Sequence, residues 1–123
     1  MRDTEMAYIA ALVDSIGSLK IESPKKGLEC SLYVGITRKD FKLMEFLQKA
    51  GAFIVHLDDG QFRAKWKDQQ AYRLLKSIIA FSKMKREQVI VGLEFYEAKT
   101  SEQKQENFDI TYRLRLKLLK KDD

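Results

Sequence analysis

The sequence predicts an α+β domain (mixed α/β), in which helices cover one face of a four-stranded antiparallel sheet. Three observations carry this expectation. Apolar residues repeat at helical spacing from residue 4 to 16 and switch to strict alternation directly afterwards. Two alternating stretches, residues 18–37 and 52–67, each contain an internal turn signal and read as β-hairpins. Each hairpin is followed by a segment with a capping residue and an apolar helical stripe.

Met6, Ile9, Val13 and Ile16 stand three and four apart and form one stripe of a first helix, with Asp3 or Thr4 as its cap. An acid, Asp14, falls in the last turn, where the helix dipole disfavours negative charge. Leu19 and Ile21 then alternate with Ser18, Lys20 and Glu22. SPKKG, with the sole proline, marks a turn. In the next strand Cys30, Leu32, Val34 and Ile36 alternate with Glu29, Ser31, Tyr33, Gly35 and Thr37, and Cys30 points to the core. Thr37 and Asp40 resemble a capping box with Asp in place of Glu. They open a second helix with Phe41, Met44 and Leu47 inward and Gly51 as its stop. AFIVHL and QFRAKWK, joined by DDG, make the second hairpin. Asp68 caps a third helix with Ala71, Leu74, Leu75, Ile78 and Ile79 on its apolar face. A fourth helix spans 83–99, despite its β-branched residues and Gly92. SEQKQEN is polar and reads as a loop. The tail from 108 to 121 alternates as a strand does, yet Ile110, Leu114 and Leu118 suit a helix; it is read as a helix.

The chain of 123 residues is sized for one domain (1–123), with its core at about 4–97 and a C-terminal helical tail at about 101–123. With 45% hydrophobic and 33% charged residues it has the composition of a soluble globular protein. No apolar run approaches the roughly 20 residues of a membrane span, and the first residues lack a secretory layout, so an intracellular location is expected, in the cytoplasm or an organelle. One cysteine excludes an internal disulfide, and one histidine argues against a Ser-His-Asp triad or a multi-histidine metal site. The net charge of +5 favours an anionic partner.

If both hairpins join one sheet, the helices cover Leu19, Ile21, Leu32, Val34, Ile36, Phe53, Val55, Leu57, Phe62 and Trp66. The opposite face carries Lys20, Glu22, Ser31, Tyr33, Thr37, His56, Gln61, Arg63, Lys65 and Lys67, four cations against one acid. Antiparallel sheets often leave one face to solvent. Three cations on a single strand argue for more than that, because arginine and lysine reach phosphates and guanine, and glutamine reaches adenine.

Residues 9–17, IAALVDSIG, resemble the nine-residue signature of the LAGLIDADG homing endonucleases of the single-motif, homodimeric type, and Ser18-Leu19 continues it as that family does. FSKMKREQVIVGL, residues 81–93, is similar to the family's lysine-containing segment that opens a late helix. The resemblance covers roughly 4–97 and implies an αββαββα domain whose signature helices pair across a two-fold axis, giving a saddle-shaped homodimer on double-stranded DNA. Ala7, Ala11 and Ser15, spaced i, i+4 and i+8, share one helix face and permit close backbone approach there. Asp14 matches the sixth signature residue, which serves chiefly at that interface. The family's metal-binding acid is the eighth residue, and here it is Ile16. Isoleucine holds no divalent ion, and Asp14 lies about 200° around the helix from it. Arg38 and Lys42 match positions where the family places polar and basic residues around the catalytic water network, Lys85 matches the lysine of the late segment, and all three are expected to be able to contact phosphate.

Four readings follow. The first is a DNA-binding homodimer whose metal-dependent cleavage is lost, with no cofactor. The second is an active, magnesium-dependent endonuclease using Asp14. The third, also implied by the family, is an RNA maturase assisting intron splicing. The fourth is an interaction domain that binds no nucleic acid.

Overall fold

The computed structural model describes residues 2–22 and 30–100. The chain runs α1 (Asp3–Ile16), β1 (Gly17–Glu22), β2 (Ser31–Arg38), α2 (Phe41–Lys49), β3 (Phe53–His56), β4 (Phe62–Lys67), α3 (Gln69–Ile78) and α4 (Arg86–Lys99). The four strands form one antiparallel sheet in the order β1-β2-β4-β3, and the helices lie on one face of it. The expected order of helices and strands is therefore observed as far as α4. The SPKKG turn, Glu29 and the tail helix fall outside the described residues.

The core lies between the helices and the sheet. Trp66, Leu19, Ile21, Leu32, Val34 and Ile36 from the strands meet Ile9, Val13, Met44, Leu47, Leu75, Ile78 and Phe95 from the helices. Cys30 packs at its margin, as the alternation predicted. Trp66 is wholly buried, and its indole N–H is satisfied by the Ala50 carbonyl at 3.2 Å. That carbonyl is free because α2 ends there, with Gly51 at φ 98° turning the chain back towards β3.

Some boundaries differ from expectation. α1 begins one residue earlier, with Arg2 as N-cap and the Glu5 carboxylate accepting the Arg2 backbone N–H at 3.2 Å. α2 is capped by Asp40, which accepts the Leu43 N–H at 3.2 Å. Thr37 takes no part, because it belongs to β2 and its hydroxyl accepts from Arg63. Phe41 is 58% exposed rather than inward, since Met44 and Leu47 already fill the helix face. Asp68 does not cap α3 with its side chain. At φ 51° it instead extends the ladder past Lys67, giving its N–H to the Leu32 carbonyl and accepting from the Leu32 N–H and Lys99. α4 starts at Arg86, three residues later than expected, because 83–85 turn their backbone N–H groups to a side chain of α1.

The largest correction concerns β3. Its partners in β4 are Phe53↔Lys65, Ile54↔Ala64, Val55↔Arg63 and His56↔Phe62. Directly paired residues share a face, so Ile54 and His56 lie on the helix side with Ala64 and Phe62. Phe53 and Val55, expected in the core, stand on the open face, and alternation carries Leu57 there too. The turn explains why: Leu57 donates to the Gln61 carbonyl across DDG, with Gly60 at φ 82°, and counting back from that pair fixes the phase.

The junction between α1 and β1 has no connecting residue. A Cβ on Gly17 would lie 2.7 Å from the Val13 Cα and 2.9 Å from its carbonyl oxygen, both backbone atoms that a rotamer change cannot move. Gly17→Ala should lower unfolding stability by about 1–3 kcal/mol, read as a lower urea midpoint. An unchanged midpoint would show that the helix passes into the strand with room to spare.

Candidate nucleic-acid interface

The open face of the sheet is built by the odd-even alternation of its strands. Lys20 pairs with Tyr33 and Tyr33 with Lys67; Gly35 pairs with Lys65, and Thr37 with Arg63. Four cations, Lys20, Arg63, Lys65 and Lys67, therefore share this face with one acid, Glu22. Glu22 lies 3.8 Å from Lys20, and both side chains are half exposed, so their pairing contributes little.

The remaining cations are placed by neighbours. The Arg63 Nε–H donates to the Thr37 hydroxyl at 3.1 Å, which orients the guanidinium along the sheet and leaves its terminal N–H groups for a ligand. The Lys65 ammonium lies 4.4 Å from the Tyr33 ring centroid and that of Lys67 lies 5.9 Å away, so the two lysines flank one aromatic face. A shallow hollow whose lining includes Lys20, Glu22, Tyr33, Thr37, Arg63 and Lys65 runs across the middle strands.

Seven of the ten residues expected here are in place and reach the surface: Lys20, Glu22, Tyr33, Thr37, Arg63, Lys65 and Lys67. Gln61 is half-buried at the turn beside β4, on the open side by alternation. Ser31 has the right parity opposite Glu22 but is buried. His56 is not on this face at all: its ring packs against Phe62 at 4.8 Å on the helix side. Phe53, Val55 and Ser18 are there instead. Phe53 is 64% exposed beside Lys65. The length of the DDG turn was the signal that places Phe53 and Val55.

The second cluster lies where α1 meets β1. Asp14, 8% exposed, accepts three consecutive backbone N–H groups. Its Oδ2 takes Lys83 at 2.8 Å and Met84 at 3.2 Å, and its Oδ1 takes Lys85 at 3.2 Å. These amides precede α4, so the acid that α1's own dipole disfavours is held by the positive start of another helix. The Lys85 ammonium donates to the Gly17 carbonyl. Ile16 is half-buried and packs at the core margin. Gly17 pairs with Ile36, so the exit of β2 lies at the same end of the sheet. Arg38 is exposed there, its guanidinium on its neighbour's carbonyl at 3.4 Å, and Lys42 is exposed one helix position into α2.

This donor set does not fit a divalent ion. Ile16 has no donor atom, both Asp14 oxygens and the Gly17 carbonyl are engaged, and no group of three potential ligands gathers anywhere among the described residues.

No sequence-family model matches the chain, and no curated protein sequence matches it. Solved structures do. The homing endonuclease I-CvuI, in complex with the I-CreI target in the presence of 2 mM Mg with the DNA not cleaved, superposes with a TM-score of 0.88 at 14% identity, over 98% of this chain and 84% of that one. The archaeal intron-encoded homing endonuclease I-Vdi141I, complexed with DNA, gives 0.83 at 14% identity, over 98% and 86%. The LAGLIDADG meganuclease I-AabMI, bound to uncleaved DNA, gives 0.70 at 13% identity, over 89% of this chain and 43% of that one. The fold is that of the LAGLIDADG homing endonucleases.

The α1 residues expected at a two-fold interface divide between the surface and the interior. Ala11 and Ser15 are exposed and Ala7 is half-buried, while Asp14 points inward to 83–85. The Ser15 hydroxyl folds back onto the Ala11 carbonyl at 2.7 Å, which keeps this strip low. Asp14→Ala strands three amides in a partly buried pocket, and it should lower unfolding stability by about 2–4 kcal/mol. Asp14→Asn, which retains one acceptor oxygen, should fall between the two in a urea titration. Wild-type stability in the alanine variant would mean that water replaces the carboxylate freely.

Proposed function

We propose that this protein binds double-stranded DNA as a homodimer joined through α1, and that metal-dependent cleavage of the phosphodiester backbone has been lost. The observation that carries the first half is the open sheet face: four cations, three of them held by Tyr33 or Thr37, and a single acid, on the fold that the three similar structures above have in complex with DNA. Cations at this density neutralise phosphates and release counterions, and Arg63 retains the terminal N–H groups that a guanine accepts.

The loss of cleavage is supported by the α1–β1 junction. Asp14, the acid nearest the position that the resemblance assigns to metal binding, is committed to holding residues 83–85. Isoleucine replaces the ligand itself. What the junction retains is positive charge: Lys85, pinned on Gly17, with Arg38 at the same end of the sheet. These side chains bind a phosphate and orient the backbone, with no activated water to attack it.

Replacing Arg63 and Lys65 with alanine removes two cations from each protomer, and should weaken duplex binding roughly tenfold or more and reduce the slope of log K against log salt by about 3.6. Alanine at Lys49 and Lys76, which removes the same charge from the helices, should leave the slope close to wild type. Equal losses from both pairs would reduce the attraction to bulk charge and sink the sheet-face reading. On its selected duplex with magnesium, the wild type should leave both strands intact, and nuclease-free preparations that cut would overturn the claim of lost cleavage.

Dimerisation has its own test. Ala11→Leu adds bulk where two helix backbones approach, and should shift sedimentation from dimer to monomer at micromolar concentration. A wild type that sediments as a monomer at high micromolar concentration contradicts the pairing.

A further inference from the structure

We propose that Phe53 and Val55 read thymine, packing on the C5-methyl groups of two thymines in the major groove of the duplex held against the sheet. This rests on the proposed DNA-binding role of that face and adds a base preference to it.

β3 is an edge strand, and its helix-side positions are already filled by Ile54 and His56. Its other two side chains are apolar, and they stand on the basic open face of the sheet. Phe53 is 64% exposed, with Lys65 directly across from it; Val55 has Arg63 directly across. A hollow lined by Tyr33, Phe53, Lys65, Lys67 and Gln70 opens beside the phenyl ring. What sets Phe53 apart from a lone exposed apolar residue is that Val55 continues it along the strand, so the two form an apolar strip directly opposite Lys65 and Arg63.

The surrounding charge selects the occupant. Lys65, Lys67 and Arg63 draw a polyanion to within reach of Phe53, and the apolar group that a duplex offers in its major groove is the thymine methyl. Arg63, restrained by Thr37, is suited to guanine, so the neighbouring Val55 covers an adjacent position. Residues two apart on a strand are about 6.8 Å apart, and that distance is two base-pair steps of about 3.4 Å. The two methyls are therefore expected two base pairs apart in each half-site.

The test uses the full chain and a duplex selected from random sequence. Each thymine is replaced singly by deoxyuridine, which keeps the base pair and removes only the methyl. Two positions, two steps apart in each half-site, should each weaken wild-type binding about fourfold, the value of one buried methyl. Phe53→Ala should abolish the sensitivity at one of them and Val55→Ala at the other. The uridine scan on wild type needs no variant to fold. A duplex bound with strong salt dependence but indifferent to every methyl overturns this inference and leaves the sheet-face reading standing. Methyl sensitivity that survives both substitutions also overturns it, as does tighter binding to single strands of any base, the mark of a stacking platform. Failure to bind any duplex removes both.

Discussion

One carboxylate receiving three consecutive backbone N–H groups holds the arrangement of this protein together. Asp14 sits on α1, and its partners lie 69 to 71 residues further along the chain. Without it, the start of α4 would present unpaired amides in a partly buried cleft, a costly state for a backbone donor. With it, α4 is fixed at its first turn, and Val89, Val91 and Phe95 are delivered to the core. The same residues place Lys85 against Gly17 at the head of β1. The charge that looks misplaced at the end of one helix is the cap of another.

The sheet depends on that anchoring more than its own hydrogen bonds suggest. Among the described residues only its helix side is covered, so its stability rests on how well the helices pack against Leu19, Ile21, Leu32, Val34, Ile36 and Trp66. Gly92 shows how closely they come: a Cβ there would lie 3.0 Å from one Leu75 methyl and 3.3 Å from one of Leu32. The open side is correspondingly released from packing duty. It is free to carry lysines and an arginine, and their orientation by Tyr33 and Thr37 is a local matter.

Most of this architecture was legible in the sequence, and the exceptions have physical causes. β1, β2 and β4 alternate cleanly between apolar and polar residues, so their faces were assigned correctly. In β3, Phe53, Ile54 and Val55 are all apolar, so alternation carries no phase; only the hairpin count from Leu57 and Gln61 does. That one slip moved His56 to the wrong face and hid Phe53. Phe41 departs from its helical spacing because a helix of nine residues has a narrow core stripe, and Met44 and Leu47 occupy it. Asp14 was seen to be anomalous, yet its partners are distant in the chain and are backbone groups. No residue type marks such groups.

If cleavage has been lost as proposed, Ile16 gives that change a direction in time. On the reading of lost cleavage, an ancestral acid gave way to a side chain that now packs at the edge of the core. Returning to a carboxylate would give up that contact and desolvate a charge within two residues of Asp14. Selection for folding alone therefore resists the reversal, and the change works as a ratchet. On that reading the loss leaves the fold and the four cations of the open face as they were, because Ile16 touches neither the sheet register nor the side chains of Lys20, Arg63, Lys65 and Lys67.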